Sequence, residues 1–141
     1  MKKLVLVAAF VLPAAVAFAK GNVKPGQYHI RVTHEFVGAP FTPPPTEIDE
    51  CITPQQADDP KQMVQQQNKD CEPADIKAEG NKVTFKITCH KNGSTQTGSG
   101  EMVYAGTSYT GTMTVEMDNP RMGHVKMINH ISGARTGDCT K

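Results

Sequence analysis

Apolar and polar residues alternate along most of this chain, and a period of two is the pattern of half-buried antiparallel β-strands. The first such run holds Tyr28, Ile30 and Val32, with one polar residue between each pair. Later runs place apolar residues at Val83, Phe85, Ile87, Cys89, Met102, Tyr104, Tyr109, Met113, Val115, Met117, Val125, Met127 and Ile131. Turn-rich links separate the runs. The sequence therefore predicts an all-β fold, a curved antiparallel meander sheet that resembles half a barrel.

The links between these runs set the pairing register, because a slip of one residue would turn an apolar set to the opposite face. Four links are short enough to count across: Glu79–Lys82, His90–Thr95, Ala105–Ser108 and Asp118–Met122. They predict these facing pairs: Tyr104 with Tyr109, Met102 with Gly111, Gly100 with Met113, Phe85 with Gly100, Ile87 with Gly98, Val115 with Val125 and Met113 with Met127. The opposite face then carries threonines: Thr84, Thr88, Thr110, Thr112 and Thr114.

Residues 53 to 69 break the alternation and carry signals for the start of a helix. Thr53 is followed by a first-turn proline and by a glutamine three positions later, which is a capping-box arrangement. Asp59 begins a second arrangement of the same kind. We expect a short helical segment here, docked on the sheet by Met63 and Val64.

The first residues of the chain have the pattern of a secretory signal. Two lysines precede an apolar run, Leu4–Phe18, and small residues lead up to Ala19. This run is short for a membrane-spanning helix. We expect residues 1–19 to be a signal peptide cleaved after Ala19, and residues 20–141 to form a single β-rich domain in the periplasm. No cysteine follows the cleavage point, so we expect no lipid anchor in the membrane.

Four cysteines in an exported chain indicate disulfides, and four cysteines allow three pairings. If the hairpin at Gly80 forms, Cys71 comes to lie beside Cys89. That pairing leaves Cys51 to join Cys139 and to tie the early chain to the C-terminus. A metal or catalytic site built from these cysteines lacks the C-x-x-C spacing.

Methionines are frequent on the predicted apolar face: Met102, Met113, Met117 and Met127. Thioether sulfurs beside an imidazole select copper(I), and His124 lies close along the chain to Met122. Methionine also fills irregular gaps in protein cores, and the alternation turns His124 to the polar face. We therefore expect these methionines to serve as core residues and no metal to be bound, with Met122 and His124 as the alternative metal ligands.

Three glycines, Gly98, Gly100 and Gly111, fall on the apolar face of neighbouring strands. Glycine weakens a strand and leaves space where a side chain would be. One interpretation is that these glycines let the sheet coil. The other is a groove for an adaptable apolar ligand, formed by Gly98, Gly100, Met102, Tyr104, Tyr109, Gly111, Met113 and Met127.

Motifs of known enzymatic chemistry are missing from the sequence. It has no G-x-S-x-G element, no phosphate loop and no cluster of acids, and its five histidines show no ligand spacing. Cleavage would remove two lysines, so the 15 Lys and Arg residues fall to 13 against 14 Asp and Glu. Such a near-neutral domain has no electrostatic footprint for nucleic acid or for an anionic membrane. We expect no enzyme and no cofactor.

Several segments of this chain recur in one family of exported bacterial proteins: Lys24–Tyr28, Cys51–Pro54, Phe85–Cys89, Gly98–Glu101, Tyr109–Met113 and Gly133–Cys139. Over nearly the whole mature domain the chain resembles the bacterial periplasmic family catalogued as domain of unknown function 3617. The resemblance implies a periplasmic, cysteine-paired β-domain, and it implies no activity. Two features depart from the family pattern: Tyr28 and His29 stand where Trp and Glu are usual, and Val37–Glu47 lacks the frequent methionine-rich loop.

The function most favoured at this point is non-enzymatic binding of an apolar small molecule or an extended peptide on the face that carries methionine, tyrosine and glycine. A soft-metal (copper) handling protein is the first alternative. A structural domain that binds a protein partner is the second.

Overall fold

Seven antiparallel strands form one open sheet in the computed structural model, which describes residues 23–59, 61–63, 70–91, 93–121 and 123–140. The strands are β1 (Gly26–Phe36), β2 (Thr46–Ile52), β3 (Cys71–Glu79), β4 (Lys82–Lys91), β5 (Ser94–Tyr104), β6 (Ser108–Asn119) and β7 (Gly123–Gly137). Their order across the sheet is β2-β1-β7-β6-β5-β4-β3. The predicted all-β antiparallel meander with a short helical segment is confirmed.

The predicted signal peptide, residues 1–19, lies outside the described residues, as do Val64 and Met122. Within the described ranges, no helix has the length and apolar character that crossing a bilayer requires.

The sheet is continuous because the last strand pairs with the first. Strand β7 lies between β1 and β6, so that Ile30 faces Gly133 and His34 faces Asn129. This pairing joins the hairpin β1–β2 to the five-strand meander β3–β7. Counting across short links predicts neighbours in sequence only, so the β1–β7 pairing is new information from the structure.

The alternating apolar residues come together on one face of the curved sheet, which we call the inner face. A single cluster forms the core there: Val23, Tyr28, Ile30, Ile52, Ala57, Met63, Val83, Phe85, Met102, Tyr104 and Tyr109. Five residues pack against it: Val32, Ile76, Ile87, Met113 and Ile131. The predicted threonines lie on the opposite, outer face.

A short helical segment covers part of the inner face, and its start is fixed by side-chain capping. Helix α1 (Pro54–Asp58) begins after Thr53, whose hydroxyl accepts a hydrogen bond from the Gln56 backbone. The Gln56 side chain accepts one in return from the Thr53 backbone at 2.7 Å. Residues 61–63 are also helical, and Met63 is buried. The predicted capping box and the predicted docking by Met63 are therefore confirmed.

Five of the predicted facing pairs are confirmed: Tyr104 with Tyr109, Met102 with Gly111, Gly100 with Met113, Phe85 with Gly100 and Ile87 with Gly98. The pairs predicted across the β6–β7 turn are wrong. Val115 lies opposite Met127 rather than Val125, and Met113 lies opposite Asn129 rather than Met127. This is a shift of two residues, so every side chain keeps its predicted face.

The shift arises because the β6–β7 turn is tighter than the sequence indicates. Asn119 still pairs with Gly123, which leaves only three residues in the loop. Gly123 has a φ of 75°, a left-handed conformation that glycine adopts without strain. The Asn119 side-chain oxygen also accepts a hydrogen bond from the Arg121 backbone at 2.8 Å. The turn thus extends β6 by two residues, to Asn119, at the expense of the loop, while β7 begins at Gly123.

Two disulfides fasten the sheet, one at each of its edges. Cys71 in the edge strand β3 is joined to Cys89 in β4, its facing residue in the register. Cys51 in the edge strand β2 is joined to Cys139, which follows β7. Disulfides of this kind indicate an oxidising compartment outside the cytoplasm.

We predict that the two disulfides contribute unequally to stability, because they close loops of different length. The Cys51–Cys139 bond spans 88 residues and the Cys71–Cys89 bond spans 18. In the chain-entropy model such loops correspond to about 4–5 and about 3 kcal/mol, respectively. Urea unfolding of the two double alanine variants should therefore show the larger loss without the Cys51–Cys139 bond. The opposite order would contradict this prediction.

Candidate functional site

A cavity of about 290 Å³ lies on the inner face, between the sheet and the helical residues 61–63. Its apolar lining comes from five elements: Met63, Phe85, Ile87, Met102, Tyr104, Tyr109, Met113, Val115, Met127 and Ile131. The disulfide-bonded Cys71 and Cys89 complete one wall, and Gln96, Thr97 and Asn129 supply polar groups. Among the described residues, no charged side chain lines this cavity.

Five of the eight residues predicted to form a groove line this cavity: Met102, Tyr104, Tyr109, Met113 and Met127. The three predicted glycines do not line it. Sequence reasoning also missed two contributors from outside the meander pattern. The sequence predicts Met63 only as a residue that docks the helical segment on the sheet. Asn129 is a polar residue within the apolar alternation of β7, so the alternation does not indicate a place for it in the groove.

The glycines lie on the inner face as predicted, but neighbouring side chains fill the space above them. The Phe85 ring covers Gly100, so that a β-carbon there would overlap the ring. The Met102 thioether covers Gly111 in the same way. At each of these glycines, a large side chain from the facing strand therefore occupies the space that a glycine side chain leaves open. The cavity is bounded by these side chains and is not made by the glycines themselves.

Three tyrosines form a cluster beside the cavity. The ring centroid of Tyr109 lies 5.6 Å from that of Tyr28 and 5.8 Å from that of Tyr104. Tyr28 is fully buried, and its hydroxyl donates to the Lys24 carbonyl at 2.7 Å. Burial raises the pKa of Tyr28, although the Arg135 guanidinium and this hydrogen bond oppose the increase. Tyr28 is therefore a structural residue whose hydroxyl is already satisfied.

The hydroxyls of Tyr104 and Tyr109 differ from that of Tyr28, because neither bonds to a residue that the structure describes. Both side chains are almost completely buried, with 3% and 2% of their surface exposed. Every fully buried polar side-chain atom of the described residues has a partner. The two hydroxyls must therefore keep accessible surface, and both residues line the cavity.

Burial also fixes the protonation of these two phenols. It raises the pKa of Tyr104 to about 12. It raises the pKa of Tyr109 as well, and the nearby Glu50 carboxylate, Tyr104 and Tyr28 add to that increase. Glu50 is itself half-buried, which raises the pKa of its carboxyl group. Both phenols consequently remain neutral hydrogen-bond donors at any physiological pH.

Asn129 is a strongly buried polar residue of the cavity wall, with 5% of its surface exposed. Its side-chain oxygen lies 2.8 Å from Nδ1 of His34 on the neighbouring strand. An amide oxygen only accepts, so Nδ1 carries the proton, and Nε2 of His34 accepts from the Thr46 hydroxyl at 3.1 Å. The chain of bonds from Thr46 through His34 fixes the orientation of the Asn129 amide.

Of the two alternative metal ligands, His124 does not come together with the cavity methionines. His124 lies on the outer face, where its Nδ1 is 3.0 Å from an Asp118 carboxylate oxygen and its Nε2 is 3.9 Å from one of Glu116. Met122 lies outside the described residues. Within the described part of the chain, no group of three or more His, Cys, Asp or Glu side chains is placed to hold a metal ion. Four methionines do line the cavity: Met63, Met102, Met113 and Met127.

A shallow depression on the outer face is a weaker candidate for a site. It is open to solvent and is lined by hydroxyl and charged side chains, including Lys86 and Asp75, which pair with each other at 3.3 Å. Exposed ion pairs of this kind are typical of a solvated surface. The inner cavity is therefore the better candidate.

Comparison with known proteins identifies a family but no characterised relative. A family model described as a protein of unknown function (DUF3617) matches residues 23–139. No curated protein and no solved structure matches the chain.

We predict that Gly100→Ala destabilises the fold by about 1–3 kcal/mol, because the new β-carbon would displace the Phe85 ring. Gly137→Ala is the matched control, since it lies in the strand β7 with no atom within 4 Å of an added β-carbon. Urea unfolding of both variants measures the difference. Equal stability of the two variants would show that Phe85 does not depend on the glycine beneath it.

We also predict different effects for removal of two buried hydroxyls. Tyr28→Phe loses the bond to the Lys24 carbonyl and should cost about 1 kcal/mol. Tyr104→Phe removes a hydroxyl with no described partner and should leave the free energy of unfolding unchanged or increase it. Thermal and urea unfolding near neutral pH measure both. A loss for Tyr104→Phe as large as that for Tyr28→Phe would contradict this prediction.

Proposed function

The chain belongs to this DUF3617 family of proteins of unknown function, and we propose that it is a non-enzymatic periplasmic protein that binds a small apolar molecule in the inner cavity. The observation that carries the proposal is the cavity itself, because protein interiors are close-packed and a space of this volume is normally filled by side chains. Empty apolar volume costs stability, so a retained cavity favours an occupant.

The dimensions of the cavity support a compact ligand. An engineered apolar cavity of about 150 Å³ in another protein binds benzene. The inner cavity has about twice that volume, which matches a bicyclic molecule of the size of naphthalene. The flexible thioethers of Met102, Met113 and Met127 suit an adaptable apolar surface. An extended peptide is less well matched, because Met63 and the Cys71–Cys89 disulfide form walls of the cavity.

The chemical groups around the cavity support binding rather than catalysis. Its polar side chains are phenols and the uncharged Gln96 and Asn129. Among the described lining residues, none is a histidine or carboxylate that could act as a general base, and the two cysteines are oxidised. Such a lining orients a ligand without offering it a nucleophile or a base.

A bulky substitution inside the cavity tests the proposal. Met113→Trp should fill the cavity and abolish binding of a naphthalene-sized compound, with the Tm unchanged or raised. Met117→Trp is the control, because Met117 lies on the same face of β6 but does not line the cavity. Equilibrium dialysis against 2-acetylnaphthalene measures binding. Native mass spectrometry of freshly isolated protein should show a co-purifying small molecule in the parent and none in Met113→Trp.

A parent protein that binds neither an added compound nor a co-purifying one would overturn the proposal. Retention of full binding by Met113→Trp would place the ligand elsewhere. A co-purifying peptide would replace the small molecule by the extended peptide that the sequence also favours.

A second candidate function is copper(I) handling, and one observation favours it: four methionines line a single cavity. Soft thioethers prefer copper(I). Volume-conserving Met102→Leu, Met113→Leu and Met127→Leu substitutions together should abolish copper(I) binding if the site exists, while Met117→Leu should not. Competition with a copper(I) chelator under ascorbate measures the affinity. Unchanged affinity in the triple variant would exclude the cavity as a copper site.

A further inference from the structure

We infer that the ligand of the inner cavity is an uncharged molecule that carries a hydrogen-bond-accepting oxygen, such as a ketone or an ester, and that Tyr104 and Tyr109 bind this oxygen. The inference rests on the proposed binding function and adds the chemical class of the ligand. It starts from the two phenols whose hydroxyls have no acceptor among the described residues.

A hydroxyl that no protein acceptor reaches depends on water or on a ligand for its hydrogen bond, and a ligand that displaced the water without offering an acceptor would leave the hydroxyl unsatisfied at a cost. In this chain the other strongly buried polar groups near the cavity are satisfied: Tyr28 by the Lys24 carbonyl, and the Asn129 oxygen by His34. Tyr104 and Tyr109 are the exceptions. Since both hydroxyls keep accessible surface and both residues line the cavity, an occupant is an available acceptor for their protons.

The two phenols are close enough to serve one end of a small molecule. Their ring centroids are 5.8 Å apart, and they face each other across β5 and β6. The Tyr109 ring lies over Gly133, with its hydroxyl end towards that residue. The remaining wall around Met113 and Met127 is mainly apolar, with Asn129 opposite Met113 as a polar exception, so the ligand needs a largely apolar body on the far side of its oxygen.

The electrostatic surroundings disfavour an anion at this end. No Lys, Arg or His lines the cavity within the described residues. Glu50 lies near Tyr109 and contributes negative charge there. A carboxylate bound among these groups would lose its hydration without gaining a countercharge. Burial keeps the phenols protonated, so each has a proton to donate to an acceptor atom of the ligand. These conditions select a neutral acceptor.

Three naphthalenes of nearly the same shape separate the possibilities. 2-Acetylnaphthalene offers a carbonyl oxygen, 2-isopropenylnaphthalene replaces that oxygen by a methylene group, and 2-naphthoate carries a carboxylate. Equilibrium dialysis of the intact, oxidised protein at neutral pH gives the three values of Kd. We expect the ketone to bind about tenfold more tightly than the alkene, as one to two net hydrogen bonds imply. We expect the carboxylate to bind more weakly than either.

The double variant Tyr104→Phe/Tyr109→Phe should bring the ketone and the alkene to within about twofold of each other, mainly by weakening the ketone. Tyr28→Phe is the matched control, because it removes a neighbouring phenol hydroxyl that does not line the cavity; it should keep the full preference. Each single variant should reduce the preference for the ketone over the alkene by a smaller factor than the double variant does. The single variants keep the test decisive if the double variant is poorly folded.

The outcomes separate this inference from the function on which it rests. If the ketone and the alkene bind the parent equally, or if the ketone preference persists in the double variant and in both single variants, the inference is wrong and binding in the cavity stands. Tighter binding of 2-naphthoate also overturns it, in favour of an anionic ligand. If none of the three compounds binds, the proposed function fails together with the inference.

Discussion

The pairing of β7 with β1 is the interaction on which the rest of this structure depends. Without it the chain would be a two-stranded hairpin and a separate five-stranded meander, and two-stranded hairpins are barely stable alone in water. The pairing brings Tyr28 beside Tyr109 and His34 beside Asn129. The tyrosine cluster and the oriented amide of the candidate site both follow from it.

The second determinant of the cavity is the pairing of large side chains with glycines on neighbouring strands. Phe85 lies over Gly100, Met102 over Gly111, and Tyr109 over Gly133. Each large side chain occupies the space beside a glycine on the next strand, so the side chains of the inner face can come close together without steric overlap. The sheet can then curve around Met63 from the helical segment, and the space left between them is the cavity. The glycines thus allow the sheet to curve, and the cavity is lined by the side chains that cover them and not by the glycines themselves.

The parts of this fold that could be predicted from the sequence are those encoded by neighbours along the chain. Hairpins β4–β5 and β5–β6 have correct registers because short links and alternating apolar residues both determine them. Hairpin β3–β4 carries a shift of one residue between Ala74 and Lys77, which the sequence does not predict. The register of β6–β7 fails by two residues because Asn119 and Gly123 close a tighter turn than composition indicates. The face of each residue survives that error, since side chains repeat every two positions.

The candidate site was only partly predictable for a related reason. Tyr104, Tyr109 and Met113 are on the predicted face, and their shared place in the cavity follows from adjacent strands. The contribution of Asn129 depends on His34, 95 residues away in the chain, and no local pattern connects them. The identification of unpaired hydroxyls requires the position of every possible partner, which alternation does not contain.

The placement of the disulfides has a consequence for local opening of the sheet at its edges. An open sheet has two outermost strands, and these normally fray first and offer unpaired backbone groups to other chains. Here each outermost strand is covalently tied, β2 through Cys51 and β3 through Cys71. Detachment of a single outer strand is therefore suppressed, and the amide hydrogens there that bond to the neighbouring strand are protected from exchange more strongly than in an untied edge strand. Reduction would restore local fraying at both margins and with it the tendency to associate edge to edge.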